Sequence, residues 1–92
     1  MGRISFEKLD VWQMSREFTA AIYEITSKFP AFEKFGLTSQ LRRASGSVSS
    51  NIAEGSSRAT AKEQGRFYNL AYSSAVEILN QLIISRSWLF KR

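Results

Sequence analysis

The stretch "RRASGSVSSNIAEGSSRAT", residues 42–60, decides the fold. Rich in serine, with two glycines and an asparagine, it has the composition of a flexible linker. Its apolar residues say otherwise. Leu37, Leu41, Ala44, Val48 and Ile52 recur at steps of four, three, four and four, a helical stripe that passes straight through "SGSVSSN". Gly55 stands where a left-handed C-terminal cap would end such a helix. Propensity opposes this reading, because Ser and Gly are weak helix formers, with Gly costing ~1 kcal/mol relative to Ala. Packing must therefore hold the segment helical. We read residues 37–54 as one helix. Opposite the stripe lie Ser39, Gly46, Ser49, Ser50 and Ala53, a smooth back. Such a back suits either the close approach of another backbone or a solvated polar face.

Working outward, the segment before it is also helical. Asp10 followed by Gln13 makes a capping-box pattern, and Leu9 and Met14 occupy the positions of a hydrophobic staple. Val11, Met14, Phe18, Ile22, Ile25 and Phe29 mark one face, and Pro30 ends the helix near residue 29. After the serine run, Thr60 and Glu63 form a second capping-box pattern that opens a helix over 61–86. There Phe67, Tyr68, Ala71, Tyr72, Ala75, Val76, Ile78, Leu79, Leu82 and Ile83 cover about half the helical circumference. A helix with one neighbour needs a narrower stripe, so this third helix is expected at the centre of the assembly.

Composition sets the outer limits. The 92 residues are read as one domain, 1–92, because a cut at the serine run leaves halves near the ~40-residue floor for independent folding. Hydrophobic residues make up 43% of the chain, enough for a core, but a core this small gains from oligomerisation. With no cysteine and no histidine, the usual thiol nucleophile, imidazole base and soft metal ligands are all missing. The expectation is a non-enzymatic protein with no metal and no cofactor. No apolar run approaches the ~20 residues of a membrane span, and "MGRISFEKLD" lacks the apolar core of a signal peptide. A cytoplasmic protein without membrane contact is expected. The net charge of +5 favours polyanionic partners, although a solvated basic surface has the same composition.

The cations are placed suggestively. Arg58, Lys62 and Arg66 are spaced by four around the start of the third helix, where the helix dipole prefers acids. A local rule broken without structural gain points to binding, so these three, with Arg42 and Arg43, are the candidate nucleic-acid contacts. Glu54 and Glu77 are the acids that a carboxylate pair would need, and ion pairing with Arg42 or Arg43 is the more ordinary role for them. Trp12, Arg16, Thr19 and Tyr23 lie together off the main stripe of the first helix. They could stack bases or pack on a neighbour, and packing is the preferred reading. The closing "SRSWLFKR" carries the same ambiguity and is assigned no role.

Three segments carry a resemblance: "FEKLDVWQMSREFTAAIYEITSKFP", "FGLTSQLRRASGSVSSNIAEGSSR" and "EQGRFYNLAYSSAVEILNQL". Over residues 6–86 the chain resembles the four-helix-bundle proteins of the 23S rRNA intervening-sequence family. "LTSQLRRA", "SNIAEG" and the spacing to Ser74 and Glu77 are the most specific parts. The resemblance implies an up-down bundle, commonly a homopentamer with a basic surface. The similar accessory proteins of diversity-generating retroelements are linked to RNA and a reverse transcriptase. Family members continue into a fourth helix, whereas this sequence holds three, so the apolar face of the third helix is expected to be covered by another subunit. The expected architecture is thus all-α, an antiparallel up-down bundle of three helices from a four-helix family, oligomeric. The expected partners are further copies of itself and RNA or DNA, with a protein-interaction or scaffolding module as the competing class.

Overall fold

The computed structural model describes residues 6–89; the first five residues and residues 90–92, which end the unassigned "SRSWLFKR", lie outside it. Three α-helices account for most of the chain: α1 (Asp10–Thr26), α2 (Leu37–Ser56) and α3 (Ala61–Leu89). Short 3₁₀ turns at Phe6–Lys8 and Ala31–Glu33 precede α1 and α2, and no strand occurs among the described residues. The serine run is a continuous helix, as its periodicity requires. No helix is long and apolar enough to cross a membrane, among the described residues.

The helix ends differ from the expected caps. Asp10 is the first residue of α1 and its side chain caps nothing; Gln13 instead donates its side-chain amide to the Glu7 carbonyl at 3.0 Å. Met14, a proposed staple residue, is 68% exposed. At α3, half of the second capping box forms, with the Glu63 amide donating to the Thr60 hydroxyl at 3.2 Å. Gly55 lies inside α2 rather than at a left-handed cap, since the helix runs on to Ser56. What Gly55 supplies is space. A Cβ added there would stand 2.8 Å from the ring of Tyr68 and 3.1 Å from Cβ of Phe67, so its missing side chain lets α3 approach α2.

The centre of the three-helix body is α2, not the expected α3. Its partners read in opposite directions along the chain: Ser49 with Ser15 and Ser45 with Thr19 on one side, Ser47 with Ser74 and Gln40 with Gln81 on the other. Both pairings are therefore antiparallel, giving an up-down-up arrangement within an elongated body of 51 × 21 × 21 Å. Among the described residues, no Cα of α1 lies within 8 Å of a Cα of α3. The expectation failed because the width of an apolar arc does not fix a helix's position: among the described residues α3 packs on α2 alone, and Tyr72, Val76, Leu79 and Ile83 of its arc stay exposed. The slim helix takes the middle because small residues fit between two neighbours.

The core is correspondingly small. Ile22 from α1, Phe29 from the connection, Leu41 and Ala44 from α2 and Ile78 from α3 form its buried cluster. Leu37, Val48, Leu82 and Leu89 pack around it half-buried. The first helix commits only part of its predicted stripe: Ile22 and Phe29 are buried, while Val11, Met14, Phe18 and Ile25 face outward.

Candidate nucleic-acid interface

The seam between α1 and α2 is made of small polar side chains. Ser15, Thr26, Thr38 and Ser45 are all buried. The Thr19 hydroxyl reaches the Ser45 carbonyl at 3.1 Å, and the Ser49 hydroxyl donates to that of Ser15 at 3.0 Å. Of the expected smooth back, then, Ser49 serves close packing, while Ser39 and Ser50 are exposed. The seam between α2 and α3 is built alike. Ser74 donates to Ser47 at 3.0 Å, and the Asn51 amide holds the same Ser47 hydroxyl at 3.0 Å. These hydroxyls satisfy one another, which is the condition for burying them.

Arg42 completes the first seam. Its Nε donates to the Thr26 hydroxyl at 2.8 Å, and that hydroxyl donates onward to the Ile22 carbonyl at 2.7 Å. Its guanidinium lies over the Tyr23 ring at 4.5 Å and reaches the Tyr23 carbonyl at 3.3 Å. A cation beside the last carbonyls of α1 is favourable to that helix's dipole. Arg43 reaches the other way, to a Glu77 carboxylate oxygen at 3.4 Å, with the side chains 67% and 37% exposed.

Arg58 follows the end of α2 and pairs with Glu54 one turn back. A cation there is well placed for the C-terminus of α2, so it breaks no dipole rule; the sequence had assigned it to the start of α3. Its guanidinium lies 4.7 Å from the centre of the Phe67 ring. Its Nε is buried without a hydrogen-bond partner, a cost the ring face partly offsets. Arg66 approaches the same ring at 4.7 Å. Lys62 is exposed, with no hydrogen bond or ion pair among the described residues.

The five candidate cations therefore do not form one patch. Arg42 and Arg43 sit on opposite seams, Arg58 fastens the α2–α3 turn and shares the Phe67 ring with Arg66, and Lys62 stands apart on the exposed side of α3. At 100° per residue Lys62 and Arg66 share a ridge with Asn69, Ser73 and Asn80 on the side away from the buried Ile78, with Glu77 at its edge and Glu63 next to Lys62. The two carboxylates are also apart. Glu54 pairs with Arg58, and Glu77 with Arg43, eleven residues or ~16 Å away along α2. Among the described residues, no group of three His, Cys, Asp or Glu could hold a metal ion.

On α1, Trp12 is half-buried, with Phe6 edge-on at 5.2 Å and the Arg16 guanidinium 5.7 Å from its ring centre. With Thr19 in the seam and Tyr23 beneath Arg42, this group is packed against its own chain. Two apolar features escaped the sequence reading. Phe32 and Phe35 stand exposed in the α1–α2 connection, with the Lys34 ammonium 5.5 Å from the Phe35 ring centre. At the opposite end, an open groove of about 470 Å³ runs between α1 and α3 over Val48 and Ile52. Leu9 and Val11 form one wall, with Tyr68, Tyr72 and Ala75 on the other. The half-circumference arc of α3 was its signal.

An all-α bundle whose middle helix is stitched on both sides by short polar side chains is the class of protein these features define. The chain belongs to the 23S rRNA-intervening sequence protein family, whose family model matches residues 7–89. No curated protein shows significant similarity to it.

Proposed function

We propose that the protein is a non-enzymatic, self-associating helical subunit of the cytoplasm that binds structured RNA or DNA through a basic surface on α3. The outer ridge of α3 carries the reading. Lys62 and Arg66 stand there exposed beside amide and hydroxyl side chains, with Glu63 and Glu77 on the flank diluting the charge. Arg43 and Arg58, both partly exposed and each already paired, contribute charge rather than contacts, and Arg42 is spent on the α1–α2 seam. Membership in a family named for 23S rRNA-intervening sequences adds support for RNA.

Two cations bind phosphate weakly and without sequence information. Repetition around an oligomer supplies avidity where the copies reach one polyanion together. Affinity should fall with salt at a log–log slope of about −0.9 per neutralised phosphate on duplex DNA and about −0.7 on single strands. The variant Lys62→Glu/Arg66→Glu should lose most of that binding while circular dichroism stays unchanged. Full affinity in that folded variant moves the site off α3. A wild-type chain that binds neither RNA nor DNA at low salt leaves the scaffolding module, a reading favoured by the internal engagement of Arg42, Arg43 and Arg58.

A further inference from the structure

We propose that Glu54 holds Arg58 in reserve. In the free chain the carboxylate occupies the guanidinium; a backbone phosphate of bound RNA or DNA displaces it, and Arg58 then joins Arg66 as a direct contact. This rests on the nucleic-acid binding of the proposed function and adds a masked cation to its surface.

The first support is position. The guanidinium groups of Arg58 and Arg66 each lie 4.7 Å from the centre of the Phe67 ring. They are therefore no further apart than twice that distance, within reach of phosphates that recur about every 3.4 Å along one strand of a duplex. Two like charges at one ring repel, and Glu54 offsets only the charge of Arg58. Arg66 forms no ion pair among the described residues, even with Glu63 three positions before it.

The second support is how poorly the resting pair suits its members. One terminal nitrogen of Arg58 bonds Glu54, while its Nε is buried without an acceptor, so the fork that arginine offers an anion is half used. Glu54 stands in the last turn of α2, where the helix dipole disfavours an acid. The two side chains are 37% and 50% exposed, so solvent already weakens the pair. Arg42 shows the contrast. It also lies over an aromatic ring, but it bonds the Thr26 hydroxyl and the Tyr23 carbonyl and is held fast.

The third support is that the exchange moves side chains alone. The Arg58 amide donates to the Gly55 carbonyl at 3.1 Å, and the Gln64 side-chain amide donates to the Arg58 carbonyl at 3.0 Å. The backbone of the turn is thus fixed on both sides. The Phe67 face keeps the guanidinium in place when the carboxylate leaves.

The test is a salt series of binding to a duplex DNA and to a single-stranded RNA, for wild type, Glu54→Gln, Arg58→Gln and the double variant. Glu54→Gln should bind about two- to fivefold tighter, the weight of an exposed ion pair that no longer competes. Arg58→Gln should bind more weakly, with a salt slope reduced by about 0.9 on the duplex and about 0.7 on the single strand. The double variant should keep that reduced slope. Glu24→Gln makes the same charge change beside the Tyr23–Arg42 contact, twelve residues of α2 or ~18 Å from Glu54, and should alter affinity little. An equal gain from Glu24→Gln would assign the effect to net charge. An unchanged slope in folded Arg58→Gln, with Lys62→Glu/Arg66→Glu still impaired, would make Arg58 purely structural. Either result overturns this inference and leaves the α3 surface standing. If Arg58→Gln loses its helicity, the comparison of Glu54→Gln with Glu24→Gln decides alone: a gain at Glu54 only supports the exchange, and no gain there refutes it. A wild-type chain that binds neither polymer at low salt overturns both this inference and the reading beneath it.

Discussion

The seam between α1 and α2 and the groove between α1 and α3 reverse the usual arrangement of a protein. In the seam, Ser15, Thr26 and Ser45 are buried; in the groove, Tyr72 lies open to water, and Met14 and Leu79 stand exposed on α1 and α3. The seam closes because short hydroxyl side chains let helices come near and then satisfy one another. The groove stays open because no further helix within residues 6–89 covers it. Each seam hydrogen bond contributes only ~1 kcal/mol net, so polar closure fixes geometry more than it stabilises. Under the proposed self-association, the exposed apolar faces supply the driving force for contact between copies, and measured stability then depends on concentration.

The strongest way to break this contrast is to empty one side of it. Leu41 has no exposed surface and sits in the buried cluster, so Leu41→Ala should cost about 2–5 kcal/mol in urea denaturation. Leu79→Ala, the same kind of change on the exposed apolar face of α3, should leave the unfolding free energy of dilute protein within about 0.5 kcal/mol. Its effect should appear instead as lost mass in light scattering. Equal losses of folding stability from both changes would show that the groove is closed within one chain.

A smaller effect sharpens the seam itself. Gly46 and Gly55 are both interior to α2, and helix propensity treats them alike. A Cβ at Gly46 meets nothing within 4 Å, so Gly46→Ala should stabilise by about 0.4–1 kcal/mol. At Gly55 the added methyl meets Phe67 and Tyr68, and overpacking of ~1–3 kcal/mol should outweigh a propensity gain of ~1 kcal/mol. Opposite signs in thermal melts are the expected result. Matching signs would mean that α3 does not rest on Gly55.

The sequence disclosed the helices better than their roles. Leu37 through Ile52 kept their helical step through seven serine, glycine and asparagine positions, because apolar periodicity survives weak propensity. The central place of α2 was not legible, since it follows from which helix is thin enough to stand between two others. The motifs of the family resemblance turned out to be seam residues: Gln40, Arg42 and Arg43 of "LTSQLRRA" and the partners Ser74 and Glu77 all bridge helices. Arg42 over Tyr23 could not be read, because nineteen residues separate the pair and only the α1–α2 crossing joins them. The expected pairing of Glu77 with Arg43 did form, while Glu54 chose Arg58, a partner four residues on that helical spacing alone offers.

That Arg43–Glu77 pair should give the smallest effect of all. It spans the α2–α3 seam beside Ser47 and Ser74, yet its separation is 3.4 Å and the arginine side chain is 67% exposed. Exposed pairs of this kind contribute ~0.2–1 kcal/mol before salt screens them. Arg43→Gln should therefore lower the unfolding free energy from urea denaturation by no more than a few tenths of a kcal/mol, a change that vanishes in high salt. On RNA or DNA, the loss of one diffuse charge should lower affinity slightly and leave the salt slope nearly unchanged, because the slope counts phosphates in contact. A slope reduced by a full unit would make Arg43 a true phosphate contact. The binding surface would then extend from the α3 ridge across the α2–α3 seam, with Glu77 as the group a polyanion must displace.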